Sequence, residues 1–185
     1  MLQNNIPGTT IPYSDSNAQA FSYIKPLIVA AGGLGLAQVC AITGLEGSTI
    51  QNWVKRGWVG TLRDKKYNER QVARILIIHA LRGCLQLENI VRLMEYVNGV
   101  VEDPDDDIID EGELYNYLCE AVRDIMPRGD VSAGNVEAVV DRALAMYAGA
   151  DDARGRLRKA LIVMTYACVC ATLADRTNLM LMEMI

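Results

Sequence analysis

The chain has 185 residues, of which 51% are hydrophobic and 22% charged. This composition excludes intrinsic disorder throughout and permits a core without disulfides or metals. The formal net charge of −5, taken whole, argues against a nucleic-acid binder. Yet residues 48–82 carry a net charge of +6 and residues 83–127 a net charge of −10. This separation is typical of a protein with an anionic partner, and equally of two surfaces that attract each other within one fold.

The first thirty residues predict an irregular arm followed by one short helix. Residues 1–16 are rich in Asn, Ser, Thr and Pro, which predicts a flexible or extended arm. A short helix is expected from about Asn17 to Ala31, with a break or kink at Lys25-Pro26.

Residues 34–98 predict four helices with short connections. The first spans Leu36–Thr43, and the second opens at Glu46 or Ser48 and ends near Gly57. A basic loop follows, with room for a two-stranded ribbon. Asn68 is placed to cap the third helix, and the fourth begins at Gln86.

The first two of these helices have helix-turn-helix spacing, in which the second helix can lie in the major groove of DNA. Gln and Asn side chains can bond adenine with two hydrogen bonds, and Lys and Arg suit phosphates. We expect the recognition helix to span about 48–56 and the basic loop 61–67 to meet phosphates. The candidate DNA-contacting residues are Ser48, Thr49, Gln51, Asn52, Lys55, Arg56, Arg63, Lys65, Lys66 and Arg70.

Residues 36–94 resemble the DNA-binding head of MerR-type regulators. The shared pieces, in order, are Ile42-Thr43-Gly44-Leu45, Thr49-Ile50, Trp53, Arg56-Gly57, Tyr67-Asn68 and Leu85-Gln86-Leu87-Glu88-Asn89-Ile90. The chain departs from the family at Gln51-Asn52-Trp53, where an Arg-Tyr-Tyr run is usual, and at Glu46, which replaces a Ser. The loop from Gly57 to Tyr67 is shorter than the usual wing.

The whole chain also looks similar to an uncharacterised Gram-positive bacterial family, a domain of unknown function with a MerR-like front half. The resemblance implies an all-α protein with a winged helix-turn-helix head over residues 17–98, followed by a helical bundle. It further implies a homodimeric, DNA-binding transcriptional regulator. The alternative is a degenerate head that serves protein–protein contact without binding DNA, a role favoured by Glu46 and the short wing.

Residues 99–110 predict an acidic hinge, since eight of the twelve residues from Glu102 to Glu113 are acids. Asp103, Asp105 and Asp107 have the first spacings of a calcium loop, but Ile108 stands where such a loop needs glycine. The hinge is therefore expected either to be solvated or to dock against the basic head.

Residues 111–185 predict three helices for dimerisation, with boundaries near Pro127-Arg128 and Gly149-Ala150. A small-molecule effector site is conceivable here but has no direct support. Its candidate residues are Met146, Tyr147, Met164, Tyr166, Met180, Met182 and Met184, for which core or dimer packing is the alternative.

No motif supports an enzyme, a cofactor or a metal site. His79 is the sole histidine, and the five cysteines include no C-x-x-C pair, which predicts buried free thiols in a reducing cytoplasm. The uncharged run 160–174 has 15 residues, fewer than the ~20 that a membrane-spanning helix needs. We therefore expect a cytoplasmic protein without a membrane partner.

Overall fold

The computed structural model describes residues 5–13 and 19–185. In these residues eight α-helices and three short 3₁₀ turns occur without a β-strand, which confirms the all-α class. The helices are α1 (Lys25–Ala30), α2 (Leu36–Thr43), α3 (Gly47–Lys55), α4 (Glu69–Leu81), α5 (Leu87–Asn98), α6 (Glu111–Ile125), α7 (Ala133–Ala143) and α8 (Asp151–Met184). The 3₁₀ turns are Ala20–Tyr23, Pro104–Asp106 and Leu144–Met146.

Local capping signals explain where several helices begin. The Asn68 side chain accepts a hydrogen bond from the Gln71 backbone N–H (2.9 Å), and the Gln71 side chain accepts one from the Asn68 N–H (3.0 Å). This reciprocal pair satisfies two donors at the start of α4. At the start of α6 the Asp110 side chain alone satisfies two donors, because it accepts from the N–H groups of Gly112 and Glu113.

Pro26 begins a helix and does not kink one. The chain forms a 3₁₀ turn at Ala20–Tyr23, and Pro26 stands in the first turn of α1, where its missing N–H would have had no intrahelical acceptor. The expected single helix from about Asn17 to Ala31 is therefore two pieces. Asn17 itself lies outside the described residues.

α4 is the central helix. Every residue from Gln71 to Ile78 is buried, and α4 packs against α1, α2, α5, α6 and α8. One hydrophobic cluster contains Trp53 of α3, Leu118 of α6 and Met164 of α8. The acidic segment 99–110 therefore does not separate two cores. The domain limits 17–98, 99–110 and 111–185 remain predictions from the sequence.

The described part of the N-terminal arm, which is expected to be flexible or extended, packs against the rest of the protein. Ile6 is buried, Thr10 donates through its hydroxyl to the Ala41 carbonyl (3.0 Å), and the Tyr115 hydroxyl donates to the Pro7 carbonyl (2.6 Å). These contacts join the segment 5–13 to α2 and α6. The arm's other residues, 1–4 and 14–16, lie outside the described residues.

α8 has 34 residues and is long and apolar enough to cross a membrane, by length and composition only. Half of its apolar window is buried inside the protein, however. Leu157, Leu161 and Met164 are each at most 1% exposed, as in the core helix of a helical bundle. Burial against α4, α5, α6 and α7 accounts for these apolar residues without a bilayer.

Candidate nucleic-acid interface

The connection between α2 and α3 is a three-residue turn built on Gly44. Gly44 adopts a left-handed conformation with φ of +71°, and its N–H donates to the Cys40 carbonyl (2.7 Å). Leu45 is buried, and its N–H donates to the Thr43 hydroxyl (3.2 Å). Glu46 is the N-cap residue of α3, but its side chain makes no capping hydrogen bond. Gly44 and Leu45 thus tie the turn to α2 and to the core, which restricts the angle between the two helices.

α3 has one apolar face and one polar face. Ile50 and Trp53 are almost fully buried, and Thr49 is half-buried. The polar face consists of Ser48, Gln51, Asn52 and Lys55, all exposed. None of these four side chains has a hydrogen-bond or ion-pair partner in the described residues. The structure therefore leaves four of the five candidates on α3 fully available to a partner.

Arg56, directly after α3, is partly committed. Its guanidinium lies 4.9 Å from the centre of the Trp58 ring and 3.5 Å from the Glu88 carboxylate of α5. Both charged side chains are more than half exposed, so the ion pair contributes little to stability. Arg56 can exchange Glu88 for another anion at small cost.

The basic loop between α3 and α4 contains a tight turn. Asp64 and Lys65 both have positive φ, and Arg63 and Lys66 form an isolated β-bridge. The expected two-stranded ribbon is thus reduced to single bridges in this loop. The Lys66 ammonium donates to the Ala31 carbonyl (2.6 Å) at the end of α1, whereas Arg63 and Lys65 are exposed and form no ion pair within the described part of the chain.

Arg70 already has a partner within the fold. Its guanidinium forms an ion pair with Asp107 (3.0 Å) on the acidic segment, and both side chains are largely buried. Contact of Arg70 with DNA therefore stays a prediction, and it would require this ion pair to open. Burial, opposed by Arg70 and reinforced by nearby Glu111 and Asp106, raises the pKa of Asp107 to about 6.

Two further contacts join the basic half to the acidic segment and to the first residue of α6. Arg74 of α4 pairs with Glu111 at the start of α6 (2.5 Å), with side-chain exposures of 1% and 0%. The Glu102 carboxylate accepts from both the N–H and the hydroxyl of Thr61. Within the acidic segment, Asp107 and Glu102 contact the basic half, whereas Asp103, Asp105, Asp106 and Asp110 are exposed to solvent. The segment is thus docked at two carboxylates and solvated at the others, and the polar face of α3 stays exposed.

The methionines do not form a common pocket. Met164 is buried in the core, whereas Met146, Met182 and Met184 are 73% or more exposed.

The five thiols are not all buried. Cys119 and Cys168 are buried, Cys40 is half-buried, and Cys84 and Cys170 are exposed. All five are free. In the described residues no group of three or more His, Cys, Asp or Glu side chains is placed to hold a metal ion.

The comparisons with known proteins support a bacterial domain family without an assigned activity. Residues 36–118, from α2 into α6, match the family model described as "Domain of unknown function (DUF1836)". The chain is 29% identical over 94 residues to "Uncharacterized protein YkrK" of Bacillus subtilis (strain 168), a match that covers 47% of this chain and 40% of the relative. The aligned region thus spans less than half of that relative's length. No solved structure gave a significant match.

Proposed function

We propose that this protein is a dimeric DNA-binding regulator whose head is a MerR-like helix-turn-helix, with α3 as the recognition helix. The observation that carries the proposal is the polar face of α3. Ser48, Gln51, Asn52 and Lys55 are exposed and have no partner among the described residues, while Ile50 and Trp53 anchor the opposite face in the core. Gln51 and Asn52 offer paired donors and acceptors to base edges, and Lys55 offers a charge to phosphate.

The turn at Arg63–Lys66 stands where the wing of a MerR-like head is expected. Arg63 and Lys65 are exposed and form no ion pair in the described residues. We assign these two side chains to phosphate contacts, which position a protein on DNA without reading sequence. Lys66 is less available for a phosphate contact because its ammonium donates a hydrogen bond to the Ala31 carbonyl at the end of α1.

We expect the protein to bind DNA as a dimer, because a short head contacts few base pairs. One recognition helix reads few base pairs, and two related heads bind half-sites about 34 Å apart. The end of α8 supports self-association, since its last turns expose Leu179, Met180, Leu181, Met182, Met184 and Ile185. Exposed apolar patches of this kind are typical of protein–protein interfaces. A DNA-binding role also places the protein in the cytoplasm.

The test is DNA binding by wild type and by a charge-reversed α3. Duplexes are selected from a random-sequence library, and their affinities are then measured by fluorescence polarisation at several salt concentrations. We expect affinity to fall steeply with salt because each phosphate contact releases counterions. Lys55→Glu should weaken binding by at least about tenfold. The matched control is Lys159→Glu, an exposed lysine on α8, which should bind like wild type.

Two results would overturn the proposal. One is the absence of any selected duplex, with a folded wild-type protein. The other is an equal loss of affinity in Lys159→Glu and Lys55→Glu, since that would indicate non-specific attraction to charge.

A second candidate function is protein–protein contact through the same face. The Arg56–Glu88 pair favours protein contact, because a carboxylate beside α3 repels phosphate. Glu46 adds a second negative charge at the start of α3, since its carboxylate makes no capping hydrogen bond there. Glu88→Gln separates the two candidates. If α3 meets DNA, removal of this charge strengthens duplex binding; if α3 meets a protein, duplex binding stays absent in both forms.

A further inference from the structure

A cavity of about 1040 Å³ lies between the segment 5–13, the end of α4, the end of α6 and the middle of α8. Its volume lies just above the range typical of small-molecule sites, about 300–1,000 Å³. The cavity was not signalled by any sequence motif, because its walls come from four distant parts of the chain. None of the methionines and tyrosines singled out in the sequence lines this cavity.

The cavity combines apolar walls with arginines. Pro7, Leu87, Val122 and Leu179 contribute apolar surface, and Arg82 and Arg123 contribute guanidinium groups. Neither arginine forms an ion pair or a side-chain hydrogen bond in the described residues, although Arg123 lies near enough to Glu120 to oppose the rise in the pKa of that carboxyl.

The negative charges at the cavity do not cancel these arginines. Asp124 is already paired with Arg142 (3.0 Å), and Asp175 is exposed on α8. Arg176 also lines the cavity. Since Asp124 is paired with a residue outside the lining, Arg82 and Arg123 face Asp175 as the one remaining carboxylate among the lining residues, next to apolar surface.

We propose that this cavity binds a small organic anion, an apolar body that carries one carboxylate or phosphate group. Arg123 is half-buried, so an anion beside it is shielded from water and gains more than it would from an exposed arginine. The apolar walls would take the body of the ligand. Ligand sites are commonly built this way, with apolar surface for affinity and a few charges for orientation.

Three parts of the cavity lining are connected by contacts to the helices of the proposed head. Arg82 lies 6.0 Å from the centre of the Trp53 ring, the buried anchor of α3. Leu87 precedes Glu88, which pairs with Arg56 at the end of α3.

The third attachment is the segment 5–13. His79 Nδ1 donates to the Gly8 carbonyl (3.0 Å) at the cavity wall, and the Thr10 N–H donates to the Ile42 carbonyl (2.8 Å) in α2. A ligand that reorients Arg82 or displaces the segment 5–13 would therefore change the support of both α2 and α3. On the proposed function, the anion is an effector that alters DNA affinity, by a mechanism in which one site biases another through packed elements.

The binding test does not depend on DNA. Isothermal titration compares octanoate with 1-octanol, which has the same chain length without the charge, and adds octyl phosphate to separate carboxylate from phosphate recognition. We expect one site per chain, with at least one of the two anions binding at least tenfold more tightly than 1-octanol. Arg123→Gln should abolish this preference, while Arg128→Gln, an exposed arginine outside the cavity, should retain it.

Equal affinity for anion and alcohol would overturn the proposal, and so would an absence of binding by both anions. A preference that survives Arg123→Gln would also overturn it. Circular dichroism and thermal unfolding of Arg123→Gln identify a variant that fails to fold, and Arg82→Gln then replaces it as the test.

The effector role is measured separately, by repeating the polarisation assay with and without the anion that binds. A change of at least threefold in duplex affinity supports it, and an unchanged affinity refutes the effector role alone. If no duplex binds at all, the proposed function fails while the titration still decides the anion site.

Discussion

The guanidinium of Arg74 and the carboxylate of Glu111 form an ion pair that is excluded from water, joining the centre of α4 to the first residue of α6. Arg74 also donates through Nε to the Trp58 carbonyl (2.6 Å), so the same side chain holds the loop after α3. One residue thus connects three parts of the fold. Burial raises the pKa of Glu111, and the adjacent Arg74 opposes that rise.

Breaking this pair is expected to be costly. Glu111→Gln leaves a buried guanidinium without its counter-charge, and we expect a loss of about 3–5 kcal/mol in the free energy of unfolding. Urea denaturation measures it. The double variant Arg74→Met/Glu111→Leu removes both charges and should recover much of the loss. A single variant within about 0.5 kcal/mol of wild type would contradict the burial seen here.

The Arg70–Asp107 pair should respond to pH. The pKa of Asp107 is raised from an ordinary value of 3.8 to about 6, mainly by burial. Between these values the folded protein binds the proton more tightly than the unfolded chain, so Asp107's contribution to stability falls as pH rises through this window.

Carbon-13 NMR of the Asp107 carboxyl should give a midpoint near 6. Asp107→Asn should remove this part of the pH dependence, so that wild type gains stability relative to the variant as pH falls from 7 to 4.5. A midpoint below 4 would show that Arg70 outweighs burial.

Asn52 and Lys55 should have separable effects on DNA. Asn52→Ala removes a side chain proposed to read a base, and it should cost about 1–3 kcal/mol on the selected duplex while leaving random duplexes unchanged. Lys55→Ala should weaken all duplexes alike and reduce the salt slope by about 1. Polarisation assays on selected and scrambled duplexes measure both. If Asn52→Ala loses the same affinity on both duplexes, Asn52 contacts the DNA backbone and not a base.

Gly44 should be intolerant of a side chain. Its φ of +71° is unfavourable for alanine, and a Cβ would lie 3.0 Å from the Thr10 methyl carbon. We expect Gly44→Ala to destabilise by about 1–2 kcal/mol. Gly155→Ala is the matched control: it lies in α8 with open space around it and should stabilise by about 0.5–1 kcal/mol. Thermal unfolding compares the two, and equal melting temperatures would argue against the left-handed turn.

The five thiols should differ in reactivity. Cys84 and Cys170 are exposed, whereas burial raises the pKa of Cys168 to about 12 and also raises that of Cys119. A thiol reagent such as dithiobisnitrobenzoate reacts with the thiolate, so Cys119 and Cys168 should react only after unfolding. Mass spectrometry of labelled peptides identifies the sites. Rapid labelling of Cys168 in the folded protein would contradict its place in the core.

The helices themselves were largely predictable because their signals are local. The predicted limits of α2 are those observed, and Asn68, Gly57 and Gln86 stand at the ends expected of them. A capping side chain or a left-handed glycine acts within four residues, so the sequence alone displays it. The same holds for the two faces of α3, which follow from helical periodicity.

An all-α chain, a polar face on α3 and a +6 segment beside a −10 segment follow from the order of the residues alone. The use of those charges depends on how the helices pack. Arg70 and Arg74 meet carboxylates 37 residues away, and the segment 5–13 becomes a wall of a cavity whose other walls lie after residue 78. The physical reason is that a charge pattern fixes which groups attract, whereas the packing of distant helices fixes which of them meet and lose their water.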